Sequence, residues 1–351
     1  MSAGSETQMF CLGVNYRTCP VAVREQFAVG KSRLSEVNKA LASLPGVQEC
    51  VLLSTCNRTE IYYWSQEQET PLQVILQYFL GNAPDAASRR KMFYSHHGRE
   101  ALFHLAAVAS GLDSMVVGET EIFGQLKDAY RVALETGVTG GFANRVFQNA
   151  FTIAKKVRTA SHITSGPTSV GAAAVQMAQE ILGNLAGTNV LVVGAGEVAR
   201  TTAQSLRSRG AESIFVANRS YDRAVELASQ VGGKVIRFAE WIPYLENIDI
   251  VIVSTASPVY VVSPAVMEQV QQVRQRPLFL IDLSVPRNVD PACALVDDVC
   301  VYDMDAMEQA TAETRRLRGA EIAACEQMIH AWLEENAENL LKKRVFTAQV
   351  G

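Results

Sequence analysis

A thiol, three hydroxyls, an amide, a guanidinium and a carboxylate share one short run, Ser54-Thr55-Cys56-Asn57-Arg58-Thr59-Glu60. It follows Cys50-Val51-Leu52-Leu53, an apolar stretch that reads as a buried strand. A cysteine at a strand end, among hydrogen-bond donors, sits where a thiolate is favoured, and thiolates attack carbonyls. If the run is catalytic, Cys56 forms a covalent acyl intermediate. If it is a strand-to-loop junction, Cys56 is a small buried hydrophobe.

A second constellation lies downstream. An apolar strand at 189–193 leads into Gly194-Ala195-Gly196-Glu197-Val198-Ala199 and then a helix-compatible run. This is G-x-G-x-x-A: the first glycine permits a tight turn, the second lets the backbone approach a pyrophosphate, and the small third residue lets helix pack on strand. The helix N-terminus adds free N–H donors and the positive dipole end. The next strand ends in Asn218-Arg219-Ser220, with no acid to take a ribose 2′-hydroxyl. A guanidinium and a hydroxyl suit a 2′-phosphate, so NADPH is the expected cofactor.

The elements around these groups follow two patterns. Up to about residue 160 an α+β module is expected, with strands at 9–14, 49–54 and 59–64 and helices at 31–44, 99–110 and 141–161. Gly111 is the expected cap of the second of these helices. Thr164-Ser165-Gly166-Pro167-Thr168-Ser169 is rich in turn formers and marks a boundary. Beyond it, helices alternate with short apolar strands at 189–193, 214–217, 234–236, 250–254, 278–283 and 299–302, the pattern of a doubly wound parallel sheet. From 304 to about 341 there is no proline, and apolar residues recur at helical spacing, so one long helix is expected. The fold class is α/β, with a catalytic domain at 1–162, a Rossmann-type domain at 163–303 and a long helix at 304–351.

Composition narrows the function. Of 351 residues, 48% are apolar and 19% charged, ordinary for a globular protein. The polar start lacks the order of a signal peptide, and no apolar run approaches the roughly 18 residues that span a bilayer, so a cytoplasmic protein is expected. Seven cysteines without C-x-x-C, and five histidines without H-E-x-x-H, argue against zinc and disulfide frameworks. A net charge of −4 is not that of a protein gripping nucleic acid by bulk charge. Basic clusters such as Lys155-Lys156 with Arg158 read as solvated helix faces, which leaves room for a transient nucleic-acid substrate.

A thiol site joined to an NADP domain implies acyl reduction: the thiol displaces an alcohol from an ester, and hydride converts the thioester to an aldehyde. The motifs agree. The Ser54–Glu60 run, then Gly111-Leu112-Asp113-Ser114-Met115-Val116-Val117-Gly118-Glu119, Gly124-Gln125, Lys155-Lys156-Val157-Arg158-Thr159 and Asp282-Leu283-Ser284-Val285-Pro286-Arg287 resemble, in order, the glutamyl-tRNA reductase family. Gly13-Val14-Asn15-Tyr16-Arg17-Thr18-Cys19-Pro20-Val21 resembles its N-terminal signature.

The resemblance implies a V-shaped protein with a spinal helix and a helical dimerisation domain. It also implies reduction of tRNA-bound glutamate to glutamate-1-semialdehyde, the first step of five-carbon tetrapyrrole synthesis. Cys56 matches the nucleophile and His104 a histidine important for activity. Thr55, Asn57, Arg58, Ser114, Glu119, Thr120, Glu121 and Gln125 match the substrate site, and Gly194 to Ala199 match the NADPH loop. Arg58 is expected to fork onto the substrate γ-carboxylate, Glu119 to meet its α-ammonium, and His104 to protonate the departing ribose oxygen. An aminotransferase is an admissible partner.

Three departures stand out. Glu121 replaces the family's glutamine, which sets a repelling acid near a bound carboxylate unless it faces away or meets a cation. Tyr16 and Cys19 replace a histidine and an alanine. The chain ends at Gly351 without a dimerisation domain, so the usual family dimer is not expected. The competing readings are another NADP-dependent oxidoreductase of shikimate-dehydrogenase-like build, and a catalytically silent relative that binds tRNA or a pathway partner.

Overall fold

The computed structural model describes residues 6–81, 85–164, 170–182, 184–211, 213–274 and 276–342. The chain divides into two compact units. The first takes Met1–Pro20, Phe27–Ser165 and Leu317–Gly351; the second takes Val21–Gln26 and Gly166–Arg316. Ser165 to Ser169, most of the expected boundary stretch, lies outside the described residues.

The first unit is built on an antiparallel sheet of β1 (Gln8–Asn15), β2 (Glu49–Ser54), β3 (Arg58–Ser65) and β4 (Tyr94–His97), in the order β2-β3-β1-β4. Alternation along each strand supplies two cores. Phe10, Leu12, Cys50, Leu52, Ile61 and Tyr63 pack with Leu34, Val37, Leu41, Ile75 and Leu76, from the helices Leu34–Ala42 and Glu69–Leu80. Met9, Cys11, Val51, Leu53, Tyr62 and Trp64 pack on the other face, beneath Gly98–Ser110, Gly141–Ala160 and Gly319–Leu341. Burial on both faces explains why these strands read as continuous apolar runs. Gly111 caps its helix in the left-handed region, at φ 78°.

The expected single C-terminal helix is two helices, Met304–Leu317 and Gly319–Leu341. At the junction the Arg318 guanidinium donates to the carbonyls of Val117 (2.8 Å) and Ile163 (3.0 Å). The second helix belongs to the first unit rather than to a separate domain.

The second unit carries a parallel sheet of β5 (Asn189–Val193), β6 (Ser213–Asn218), β7 (Lys234–Arg237), β8 (Ile250–Val253), β9 (Leu278–Asp282) and β10 (Val299–Tyr302), in the order β10-β9-β8-β5-β6-β7. This is the doubly wound order of the Rossmann fold, and the strand order reverses between the parallel neighbours β5 and β8, the switch point. Asp282, buried at the end of β9, accepts the backbone N–H groups of Ser284 (2.9 Å), Asn288 (2.7 Å) and Val289 (2.8 Å) and so folds the following loop. Glu25 pairs with Arg287 of that loop at 3.0 Å, which ties Val21–Gln26 into this unit. Among the described residues no helix is long and apolar enough to cross a membrane.

Candidate active site

Cys56 lies in the turn between β2 and β3, and the turn is built by its neighbours. Thr55 Oγ1 accepts the N–H groups of Asn57 (3.1 Å) and Arg58 (3.2 Å), while Thr55 N–H donates to the Arg58 carbonyl (2.8 Å). Thr55 therefore spends its acceptor capacity on holding the turn. Of the first unit's cysteines, Cys11, Cys19, Cys50 and Cys325 are buried, and Cys56 alone is partly exposed. Burial pushes the Cys50 thiol up to about 12 and, with the nearby Glu60, pushes Cys11 up as well. These are inert thiols.

Beneath the turn lies a charged network that the sequence did not disclose. Arg58 is 1% exposed and its Nη1 donates to Glu60 at 2.7 Å. Its Nη2 donates to the Asp113 carboxylate at 3.0 Å and to the Asp113 carbonyl. The expected open fork on Arg58 is thus not found: both terminal nitrogens already serve internal partners. Arg17, with 41% of its side chain exposed, pairs with Asp113 at 3.0 Å and is the accessible cation of the cluster. Burial would lower the Arg58 pKa, but Glu60 and Asp113 raise it further.

Glu60 is the hub. Fully buried, it accepts from Arg58, from Tyr62 (2.5 Å), from Tyr94 and from His104 Nε2 (2.9 Å). Burial alone would raise its pKa, yet the Arg58 guanidinium, and then His104, hold it well below the usual carboxylate range. An ionised Glu60 only accepts, so it fixes the proton of His104 on Nε2. The His104 ring also lies tilted against His96 (4.7 Å between centroids) and edge-on to Tyr94 (5.5 Å). Burial, and then His104, depress the His96 pKa. Ligand atoms of Cys11, Glu60 and His104 lie within 4.8 Å of one another. An ion there would meet the Arg58 guanidinium on the same carboxylate, which argues against a metal centre.

The loop Gly111–Glu119 supplies the second wall. Gly118 has φ +81°, and a Cβ on it would lie 1.8 Å from the Ile163 carbonyl, so only glycine fits. Ser114 and Glu119 are both buried. Tyr16 donates to the Ser114 carbonyl at 3.2 Å, which gives the departing N-terminal residue a role in holding this loop. Burial raises the Glu119 pKa to about 7, with Glu121 adding to the rise and Ser114 and Arg58 opposing it. Glu121 opens the helix Glu121–Thr136, where an acid suits the positive dipole end. Thr120 is exposed, and Gln125 is partly exposed on the helix's second turn.

Asn57 has its side chain 5% exposed, and its Oδ1 has no hydrogen-bond partner among the described residues. A buried acceptor without a donor costs free energy, which a ligand's donor would recover.

In the second unit, Gly194 has φ +121°, and a Cβ there would lie 1.9 Å from the Ser254 carbonyl. The close approach of β5 and β8 at the switch point thus requires glycine. Over Gly196 nothing lies within 4 Å, leaving the open face that a pyrophosphate needs. Ala195 and Glu197 border this face, Val198 is half-buried and Ala199 is fully buried where the helix Glu197–Ser208 meets the sheet. Asn218 Nδ2 donates to the Ser220 carbonyl at 2.9 Å, and Arg219 and Ser220 are exposed. These features fit a dinucleotide. Unforeseen members of this edge are Thr255, Ser284 and Asn288, joined where β8 and β9 end: Thr255 N–H donates to Ser284 Oγ (3.2 Å), and Thr255 Oγ1 donates to Asn288.

Known proteins match both units. Residues 12–161 match the family described as "Glutamyl-tRNAGlu reductase, N-terminal domain", and residues 176–310 match "Shikimate / quinate 5-dehydrogenase". The glutamyl-tRNA reductase of Akkermansia muciniphila is 52% identical over 323 residues, covering 92% of this chain and 95% of that protein. That of Desulforudis audaxviator is 40% identical, covering 92% and 73%. The solved glutamyl-tRNA reductase from Methanopyrus kandleri has 32% identity and a TM-score of 0.50, covering 95% of this chain and 80% of that one. The shikimate-dehydrogenase likeness is confined to the nucleotide half, so that competing reading is not favoured. The chain belongs to the glutamyl-tRNA reductase family.

Proposed function

We propose that this protein reduces the glutamyl ester of tRNA to glutamate-1-semialdehyde, using NADPH and a thioester on Cys56. The observation that carries the reading is the one accessible thiol of the first unit, held in a turn above a buried Arg58–Glu60 pair. Family membership supports it.

Cys56 Sγ, as thiolate, attacks the ester carbonyl carbon. The C–O bond to the ribose breaks and the tRNA leaves as its hydroxyl after gaining a proton. An aminoacyl ester is activated, so the thiolate needs little base assistance. His104 relays the proton: with its Nε2–H held by Glu60, Nδ1 is the free acceptor, which takes the proton that the Cys56 thiol gives up and passes it to the departing ribose oxygen. Asn57 Oδ1 and the Glu119 carboxylate are the acceptors for the α-ammonium. Arg17 and Arg58 provide the positive field for the γ-carboxylate. The Gly194–Ala199 loop and the Asn218-Arg219-Ser220 segment hold the cofactor, which when bound supplies the hydride that converts the thioester carbonyl to an aldehyde. The C–S bond breaks as the thiolate leaves. The product is reactive, and an aminotransferase is the partner that consumes it.

The test is to incubate the protein with glutamyl-tRNA and NADPH and follow semialdehyde. No aldehyde from the wild type defeats the reading; aldehyde from Cys56→Ser at a similar rate defeats the thioester. NADH serving equally well defeats the NADPH assignment.

A further inference from the structure

The register between β6 and β7 places Arg237 opposite Asn218. The strands are parallel, so both residues end at the carboxyl edge of the sheet, the edge from which such folds hold dinucleotides. Adjacent strands lie about 4.8 Å apart. Arg237 therefore emerges one strand spacing from the segment Asn218-Arg219-Ser220 that leads into the helix Tyr221–Val231.

The guanidinium of Arg237 is already placed. It lies over the Tyr221 ring, 5.4 Å from the centroid. Arg219, Ser220, Tyr221 and Arg237 are all exposed. Nearby Arg200 is within 4.0 Å of both Glu197 and Glu226, whereas neither Arg219 nor Arg237 pairs with a carboxylate among the described residues. Ser220, the residue before the helix, makes no side-chain cap hydrogen bond. In the first turn, Arg223 is also exposed and pairs with no carboxylate among the described residues. Arg219, Arg223 and Arg237, a free hydroxyl and the start of a helix thus lie along one edge.

We infer that Arg237 is the second arm of a clamp, opposite Arg219, that grips the 2′-phosphate of NADP(H). This rests on the NADPH reading above. A guanidinium presents a planar fork that matches phosphate oxygens, and stacking on an aromatic face fixes that fork before the ligand arrives. The ordering cost is then reduced at binding. Arg237 lies 18 residues beyond Arg219, outside the usual glycine-loop and second-strand signals, and only the β6–β7 register brings it near.

The experiment is calorimetric titration of the full chain with 2′,5′-ADP and, separately, 5′-AMP, for wild type, Arg219→Gln and Arg237→Gln. The wild type is expected to prefer 2′,5′-ADP. Arg237→Gln should bind 2′,5′-ADP about tenfold more weakly, the loss of one charge-assisted contact, with 5′-AMP unchanged. Unchanged 2′,5′-ADP affinity in Arg237→Gln overturns the clamp while leaving the NADPH reading standing. Equal weakening of both ligands also overturns it, because the loss is then not at the phosphate. A wild type without preference for 2′,5′-ADP overturns the NADPH reading and the clamp together.

Discussion

Gly13 and Glu60 stand opposite each other on β1 and β3, and a Cβ on Gly13 would lie 2.7 Å from Glu60 Cγ. The missing side chain leaves the space in which the carboxylate stands. Tyr94 pairs with Gly13 from the other side, on β4, and reaches across it to the same carboxylate. Gly13→Ala crowds this arrangement and should cost about 1–3 kcal/mol, as overpacking of a filled site does. Chemical denaturation measures it, and His104-dependent turnover should fall in parallel.

Glu60→Gln removes one of the two carboxylate partners of a buried guanidinium. The expected loss is about 1–3 kcal/mol, because Asp113 still pairs with Arg58 while the stronger, fully buried contact is weakened. The acid limb of stability should change as well. The carboxyl of Glu60 is held well below its ordinary 4.5, so its contribution is present above about pH 4.5 and is lost as pH falls below that value. Urea midpoints across the acid range should fall steeply for wild type and less steeply for the variant. A variant as stable as wild type would remove Glu60 from its place as hub.

Glu119 titrates with the opposite sign. Its pKa is raised from 4.5 to about 7, so the folded state binds the proton more tightly than the unfolded one. Stability therefore declines as pH rises through that window and levels off above it. Glu119→Gln should abolish the decline and be the more stable protein above neutrality. Glu121→Gln should narrow the window from its upper end, since Glu121 contributes to the shift.

The two glycines of the nucleotide loop should fail differently. Gly194→Ala sets a Cβ 1.9 Å from the Ser254 carbonyl at φ +121°, and should destabilise the second unit by about 1–3 kcal/mol and abolish cofactor binding. Gly196→Ala meets no protein atom within 4 Å and should melt like wild type, yet bind NADPH weakly because its methyl occupies the open face. Thermal melts with and without NADPH separate the cases.

Asn57→Ala discards a buried acceptor that no donor among the described residues satisfies. Stability should stay within about 0.5 kcal/mol of wild type, since no internal hydrogen bond is lost. The KM for glutamyl-tRNA should rise while the melting temperature holds.

Much of this was legible where chemistry is local. The strand, glycine turn and helix around Gly194 are consecutive, and the turn that carries Cys56 is contained in its own run. Glu60 was in plain view in that run but could not be singled out. Its partners come from Tyr94 on a short polar strand without alternation, and from His104 on a helix more than forty residues on. The alternation Arg58, Glu60, Tyr62 along one strand face was the available signal, because opposite charges two apart on a buried strand must answer each other. The break at Arg318 was invisible for a related reason. The helical spacing continues through it, and Arg318 bonds to carbonyls at Val117 and Ile163, far upstream.

Those two bonds give the C-terminal helix a meaning in time. The loop that carries Ser114 and Glu119 is braced by Arg318, which leaves the ribosome some two hundred residues later. Gly166–Arg316, all of the nucleotide unit except Val21–Gln26, is translated in between. The catalytic unit is thus completed last: a nascent chain can finish its dinucleotide fold while the thiol's surroundings still await their final helix.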